Sequence, residues 1–312
     1  PRLPVDRVFS LRGRGTIVTG TLVGGTLLVG EAASVHPSGI HCRIRSLQSH
    51  GTSLEIAYPG SRVAANLIGV EKEALSRGDV LTTGDWLRDT ALVGGRLKFV
   101  GSTGKKLTHG ATVQFYSGTL ESPARVRLLF DAELAPGGEG WAQLSFPRAL
   151  PLASGDRFIL RSVSPGQTIG GGIVVDAHPS GRHRRGDPVV ADLLAKLEHA
   201  DEADRLLLKL RLFGPADVPT VATWLDRDAA SALVLLDGLV REGKALFLGG
   251  GRAADSAVVS EVSSWKALSE AALSVLWRYH SLQPLEPGMS RQQLRRELRL
   301  RQKVFLACID QW

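Results

Sequence analysis

The chain has 312 residues, 43% hydrophobic and 22% charged, with a formal net charge of +7. Such a composition belongs to a globular protein of two to four domains, and its richest apolar run, Ala232 to Val240, is broken by Asp237, well short of a bilayer span. The two cysteines, Cys42 and Cys308, lie too far apart in sequence for a disulfide framework or a zinc ligand set, and the basic excess points to a polyanionic partner such as nucleic acid.

In chain order, the first third reads as β. Val5 to Leu11 alternates, Gly13 and Gly15 punctuate a turn, and Thr16 to Val23 is β-branched. Gly24, Gly25 and Gly30 mark breaks, Cys42 to Leu47 alternates again, and the Pro59-Gly60 turn precedes the apolar run Arg62 to Val70. Strands this short with turns this frequent predict a closed antiparallel barrel, which leaves no exposed edge. Gly84 to Asp89 links it to a second β series, with strands over Gly95 to Val100, Thr112 to Tyr116, Arg125 to Phe130, Gly140 to Phe146 and Arg157 to Val163. Gly170-Gly171-Gly172 then allows a backbone path that side chains would block, ahead of a last strand, Ile173 to Val175.

Near residue 178 the character changes. Pro179 to Gly186 is polar and basic and reads as a flexible linker carrying Arg182, His183, Arg184 and Arg185. Helical spacing follows over Val189 to Glu198 and Ala203 to Phe213, with a short helix from Asp217 to Leu225. Asp226 is placed to cap a longer helix reaching Glu242, with Leu233, Leu236, Leu239 and Val240 inward. Gly243 stops it and Lys244 to Leu248 forms a wing strand, the winged-helix order. The pattern restarts with a helix over Trp265 to Leu282. Ser290 and Gln293 make a capping box for the next helix, and another begins at Arg301. Arg291, Arg295 and Arg299, at i, i+4 and i+8, are expected on one basic helical face for RNA phosphate, as an alternative to a merely solvated face. Arg182, Arg184 and Arg185 are the corresponding candidates in the linker. The expected domains are therefore 1–87, 88–178, a linker 179–187, 188–260, and an incomplete 261–312.

Asp6-Arg7-Val8-Phe9 followed by Gly13-Arg14-Gly15-Thr16-Ile17-Val18-Thr19-Gly20-Thr21 resembles the opening of the second domain of translational GTPases. Leu3-Pro4-Val5-Asp6-Arg7, Thr168 to Gly172 with Asp176, and Pro284 to Arg291 are similar to the selenocysteine-specific branch of that family. The resemblance implies a multidomain β plus α chain: two elongation-factor-Tu-like antiparallel β-barrels followed by winged-helix domains. It also implies delivery of selenocysteinyl-tRNA to the ribosome at recoded UGA codons by a cytoplasmic monomer without membrane contact. No G-x-x-x-x-G-K-[ST] run occurs, and Gly104-Lys105-Lys106 lacks its spacing. GTP and Mg are thus expected on a GTPase domain upstream of Pro1, and the mRNA hairpin on winged helices beyond Trp312. No cofactor, metal or catalytic constellation is expected within these residues.

By the same resemblance, Asp6, Arg7 and Arg62 fall where the family holds the aminoacyl end of the tRNA. Selenocysteine is anionic at neutral pH, because a selenol is more acidic than a thiol of pKa about 8.5. Two guanidiniums therefore favour it over neutral serine, while Asp6 accepts a hydrogen bond from the α-amino group or orients Arg7. Without the resemblance, an Asp-Arg pair closing a barrel strand is the plainer account. Two rivals remain: a module of another translational GTPase, against which the helical tail speaks, and a winged-helix DNA-binding regulator. The latter offers only Arg227 and Arg241 on its third helix.

Overall fold

The computed structural model describes residues 1–11, 15–100, 106–250 and 257–312, so Gly13, Arg14, Gly104 and Lys105 lie outside the described residues. Two compact units are present, Pro1–Glu198 and His199–Trp312.

The first unit opens with β1 (Arg2–Leu11), β2 (Gly15–Thr21), β3 (Leu27–Leu28), β4 (Ala32–His36), β5 (Ile40–Ser49), β6 (Thr52–Leu54), β7 (Ile56–Ala57), β8 (Arg62–Ile68) and β9 (Val80–Thr82). Their order is β4-β9-β1-β2-β8-β5, closed by β4 pairing with β5, and every pairing is antiparallel. Alternation drives the closure: Leu3, Val5, Val18, Ile44, Val63, Ala65 and Leu81 point inward and are buried. The short strands β3, β6 and β7 were not anticipated, having too few residues for an alternating signal.

The second barrel comprises β10 (Thr90–Phe99), β12 (Thr112–Ser117), β13 (Leu120–Leu128), β15 (Glu139–Leu150), β16 (Arg157–Arg161) and β17 (Thr168–Asp176), with β11 (Leu107–Thr108) and β14 (Glu133–Leu134) as a small separate pair. It closes as β10-β15-β13-β12-β16-β17 around Phe115, Phe146 and Phe158. The glycine triplet lies inside β17 instead of before it. A Cβ on Gly172 would stand 1.9 Å from the Arg96 carbonyl oxygen and 2.7 Å from the Phe158 ring; on Gly171 it would stand 2.5 Å from the Phe158 carbonyl oxygen. The two barrels are joined by a clamp in which Arg2 donates to both oxygens of Asp156, at 2.7 and 2.5 Å.

Residues 179–187 do not form the free hinge expected of a polar, basic stretch. They are strapped to barrel two: Gln143 donates to the Gly181 carbonyl at 2.9 Å and accepts from the His183 amide at 3.0 Å, and the Gly186 amide donates to the Leu129 carbonyl at 2.8 Å. The buried backbone of β15 cannot leave a glutamine amide unpaired, so the strap satisfies it. α1 (Pro188–His199) follows, with Leu194 3.5 Å from the Cβ position of Gly94.

The second unit contains α2 (Glu202–Phe213), β18 (Ala216–Asp217), α3 (Val218–Leu225), α4 (Ala229–Arg241), β19 (Ala245–Leu248) and β20 (Val258–Glu261). The sheet order is β18-β20-β19, a winged helix whose β18 and β20 strands were missed. Asp228, not Asp226, caps α4, accepting from the Ser231 amide at 2.8 Å; Asp226 ends α3 in the left-handed region at φ 53°. α3 ends at Leu225, where the sequence pattern ends it, but Asp226 is taken up as its C-cap, so the start of α4 falls two residues later, at Asp228. Leu236 and Leu239 are buried as expected, but Leu233 and Val240 are only partly so. α5 (Val262–Leu282), α6 (Arg291–Glu297) and α7 (Gln302–Gln311) complete the unit, Ser290 accepting from the Gln293 amide at 3.2 Å to start α6. Among the described residues, no helix is long and apolar enough to cross a membrane.

Candidate aminoacyl-end site

The site is organised by an irregularity. Val5 pairs with Gly20 and Arg7 with Thr19, so Asp6 is an extra residue between two ladder positions, a β-bulge in β1. The bulge presses the strand onto its neighbour: a Cβ at position 20 would lie 2.1 Å from the Pro4 carbonyl oxygen, so Gly20 is required there. It also turns the Asp6 side chain toward β8.

Arg62 begins β8 opposite Thr21, straight after the turn at Gly60, where φ is +85°. Its guanidinium forks onto Asp6, Nη1 donating to Oδ2 at 2.6 Å and Nη2 to Oδ1 at 3.0 Å. The Thr19 hydroxyl donates to Asp6 Oδ1 at 2.6 Å, and Ser49 anchors the Arg62 carbonyl at 2.8 Å. Burial pushes the Asp6 carboxyl up, but the hydrogen bonds from Arg62 and Thr19 and the charges of Arg62 and Arg7 outweigh it. They hold Asp6 below the usual carboxylate range.

All three expected residues therefore share one rim. Arg7 and Arg62 are exposed, and the strands carrying them flank β2 on either side, opposite Thr19 and Thr21. Two guanidiniums against one carboxylate leave the rim positive. The structure differs from the expectation in one respect: Asp6 is hydrogen-bonded to Arg62, not to Arg7. Thr19 and Ser49 were missed as members of the network. Thr19 stands in the quoted barrel sequence, but only the bulge shows that it meets Asp6.

The basic clusters fare unevenly. Arg182 and Arg184 are exposed on the strap, and Arg185 donates to the Asp131 carbonyl at 3.0 Å. Arg291 and Arg295 lie on α6, but the helix ends at Glu297 and Arg299 sits in a left-handed turn at φ 55°. The three-arginine face thus stops at two, and Arg295 is half-buried with Nη1 turned back to the Leu300 carbonyl at 3.3 Å. Of the two arginines expected on the third helix of the first winged helix, Arg227 lies ahead of α4 and pairs with Glu202, and Arg241 at its end donates to the Asp237 carbonyl at 3.2 Å. Neither is poised to enter a DNA groove.

Residues 96–181 match the family model described as "Selenocysteine-specific elongation factor, beta-barrel domain", and residues 273–312 match "Elongation factor SelB, winged helix". A selenocysteine-specific elongation factor of Desulfomicrobium baculatum is 36% identical over 293 residues, covering 94% of this chain and 46% of that one. The corresponding protein of Escherichia coli K12 is 30% identical over 300 residues, covering 95% and 44%. The chain spans a little under half the length of these curated relatives. The apo crystal structure of translation elongation factor SelB from Methanococcus maripaludis superposes with a TM-score of 0.50 at 24% identity, over 57% of this chain and 43% of that one, a likeness of fold.

Proposed function

This chain belongs to the selenocysteine-specific elongation factor family, and from that premise we propose that its first barrel binds the aminoacyl end of selenocysteinyl-tRNA for GTP-dependent delivery to the ribosome at recoded UGA codons. The observation that supports it most is the exposed, net-positive rim of Arg7 and Arg62, with Arg62 held in a fixed plane by Asp6. A guanidinium carries five donors, of which Arg62 spends two on Asp6, so the fork is oriented and still has capacity for an anion. An ionised selenium on the tRNA end accepts from these donors. A serine hydroxyl in the same place brings no charge and leaves the second guanidinium uncompensated. GTP and Mg belong, in this reading, to a domain that these residues do not contain. The exposed arginines Arg182, Arg184 and Arg291 serve as phosphate contacts to tRNA or ribosomal RNA, with Arg185, Arg295 and Arg299 more constrained. An mRNA hairpin is engaged through further winged helices.

The test compares protection of the aminoacyl ester from hydrolysis for selenocysteinyl-, cysteinyl- and seryl-tRNA, using the chain joined to a family GTPase domain. Selenocysteinyl-tRNA is expected to be protected best at neutral pH. Cysteinyl-tRNA gains protection as the pH climbs through the thiol range near about 8.5, and seryl-tRNA does not. Equal protection of all three at every pH rejects recognition by charge.

A further inference from the structure

We infer that the outer wall of barrel two carries a phosphate-binding cleft formed by Arg125, Arg127 and Arg182. β13 alternates so that Ala124, Val126 and Leu128 are buried while Arg125 and Arg127 face outward. Across the ladder Arg125 pairs with Ser145 and Arg127 with Gln143, which puts all four side chains on one face. Arg182 arrives from a different part of the chain. The three arginines line one cleft of about 260 Å³ with His109, Gln143 and Ser145, and no carboxylate is among its lining residues.

Arg182 is not there by chance flexibility. Gln143 holds the backbone on both sides of it, donating to the carbonyl of Gly181 and accepting from the amide of His183. Gln143 is itself fully buried and both ends of its amide are used, so residue 182 is presented over the cleft from a fixed backbone. Arg125 passes beside Gly110, where a Cβ would stand 3.7 Å from its Nη2. Among the described residues, no ion pair or hydrogen bond occupies the guanidiniums of Arg125, Arg127 or Arg182. Arg96 on the same barrel is, by contrast, paired with Glu139 and Glu198. Three cations converging without a counter-ion raise one another's energy and favour an anion that satisfies them together.

Guanidinium forks match the tetrahedral face of a phosphate, which accepts bidentate hydrogen bonds. The cleft is smaller than the roughly 300–1,000 Å³ that encloses a whole small molecule. It therefore takes a phosphate group presented from outside, the geometry of a phosphodiester on an RNA backbone, with free phosphate as the other source of the same chemistry. The inference rests on the nucleic-acid reading of Arg182 and is independent of the aminoacyl site on barrel one.

The experiment measures binding of a short, unacylated RNA duplex to the 312-residue chain over a range of salt, with inorganic phosphate titrated in parallel. Because no amino acid is attached, the Asp6–Arg7–Arg62 rim is not probed. Arg125→Gln, Arg127→Gln and Arg182→Gln each lower the slope of log affinity against log salt by about one. Arg88→Gln, on the segment between the barrels, does not. Gln143→Leu weakens binding although it removes no charge; if it fails to fold, the arginine substitutions decide alone. If inorganic phosphate displaces the duplex at matched phosphate-group concentration, the cleft's ligand is the free ion; if not, it is the RNA backbone. No binding of either probe, or slopes that change no more than for Arg88→Gln, overturns the cleft.

Discussion

Replacing Arg62 by alanine separates the two roles an Asp-Arg pair can have on a barrel rim. The Arg62 side chain is 49% exposed, so its ion pair with Asp6 is largely screened by water. Such pairs contribute about 0–1 kcal/mol to folding, which corresponds to a fall in melting temperature of no more than about 2–4 °C for a unit of this size. The effect on recognition is larger. One charge-assisted hydrogen bond to an ionised selenium is worth about 1.5–3 kcal/mol. At about 1.4 kcal/mol per decade, the preference for selenocysteinyl- over seryl-tRNA drops roughly 10- to 100-fold. Ester-protection assays with both tRNAs give the ratio, and thermal unfolding gives the stability. Arg62→Lys restores part of the ratio, because the charge remains while the fork onto Asp6 is lost. An unchanged ratio in Arg62→Ala refutes the reasoning, as does a melting point lowered by far more than the screened pair allows, since the residue would then be structural.

Gly172→Ala is expected to destabilise the first unit by about 1–3 kcal/mol or more, because the new Cβ would stand 1.9 Å from the Arg96 carbonyl oxygen; thermal unfolding measures it. Glu261 caps α5, accepting from the Ser264 amide at 2.8 Å and the Ser263 hydroxyl at 2.7 Å, so Glu261→Ala costs about 0.5–2 kcal/mol in urea unfolding of the second unit. Burial pushes the Glu261 carboxyl up, yet the hydrogen bonds from Ser263 and Ser264 outweigh it and hold it below the ordinary glutamate value. Its contribution is therefore present above that ordinary value and lost as the pH falls through the lower folded value, and Glu261→Gln flattens that acid limb. Cys42 and Cys308 are buried, with thiols pushed up to about 11 and about 12. Neither is expected to react with a thiol reagent near neutral pH until the chain is unfolded, and rapid labelling of the native chain contradicts that burial.

How much of this was legible in the chain depends on the range of the interaction. The barrels announced themselves through local alternation, since Val5, Val18 and Ile44 must point the same way whichever strands they meet. Strands of two or three residues, such as β3 and β18, have no period to read and exist only because a longer neighbour pairs with them. The cap at Asp228 was misplaced by two residues for a similar reason. Asp226 and Asp228 are chemically equal as caps, and only the end of α3 decides between them.

The candidate sites follow the same logic at longer range. Asp6 and Arg62 are 56 residues apart, and resemblance could name them, but nothing in their local sequence says that a bulge aims one at the other. That geometry needs Gly20 to let Pro4 approach, so the glycine on β2, the strand between Asp6 and Arg62, is as much a part of the site as the arginine. Gln143 does the equivalent work on barrel two. It reads in sequence as a polar interruption of the strand Gly140 to Phe146, and it becomes intelligible only when the strap it holds is seen to carry Arg182. In both places a buried, uncharged position fixes where a cation stands. Arginine content alone therefore measures the attraction for an anion, while the glycine and the glutamine determine whether that attraction is directed at one point or spread over the surface.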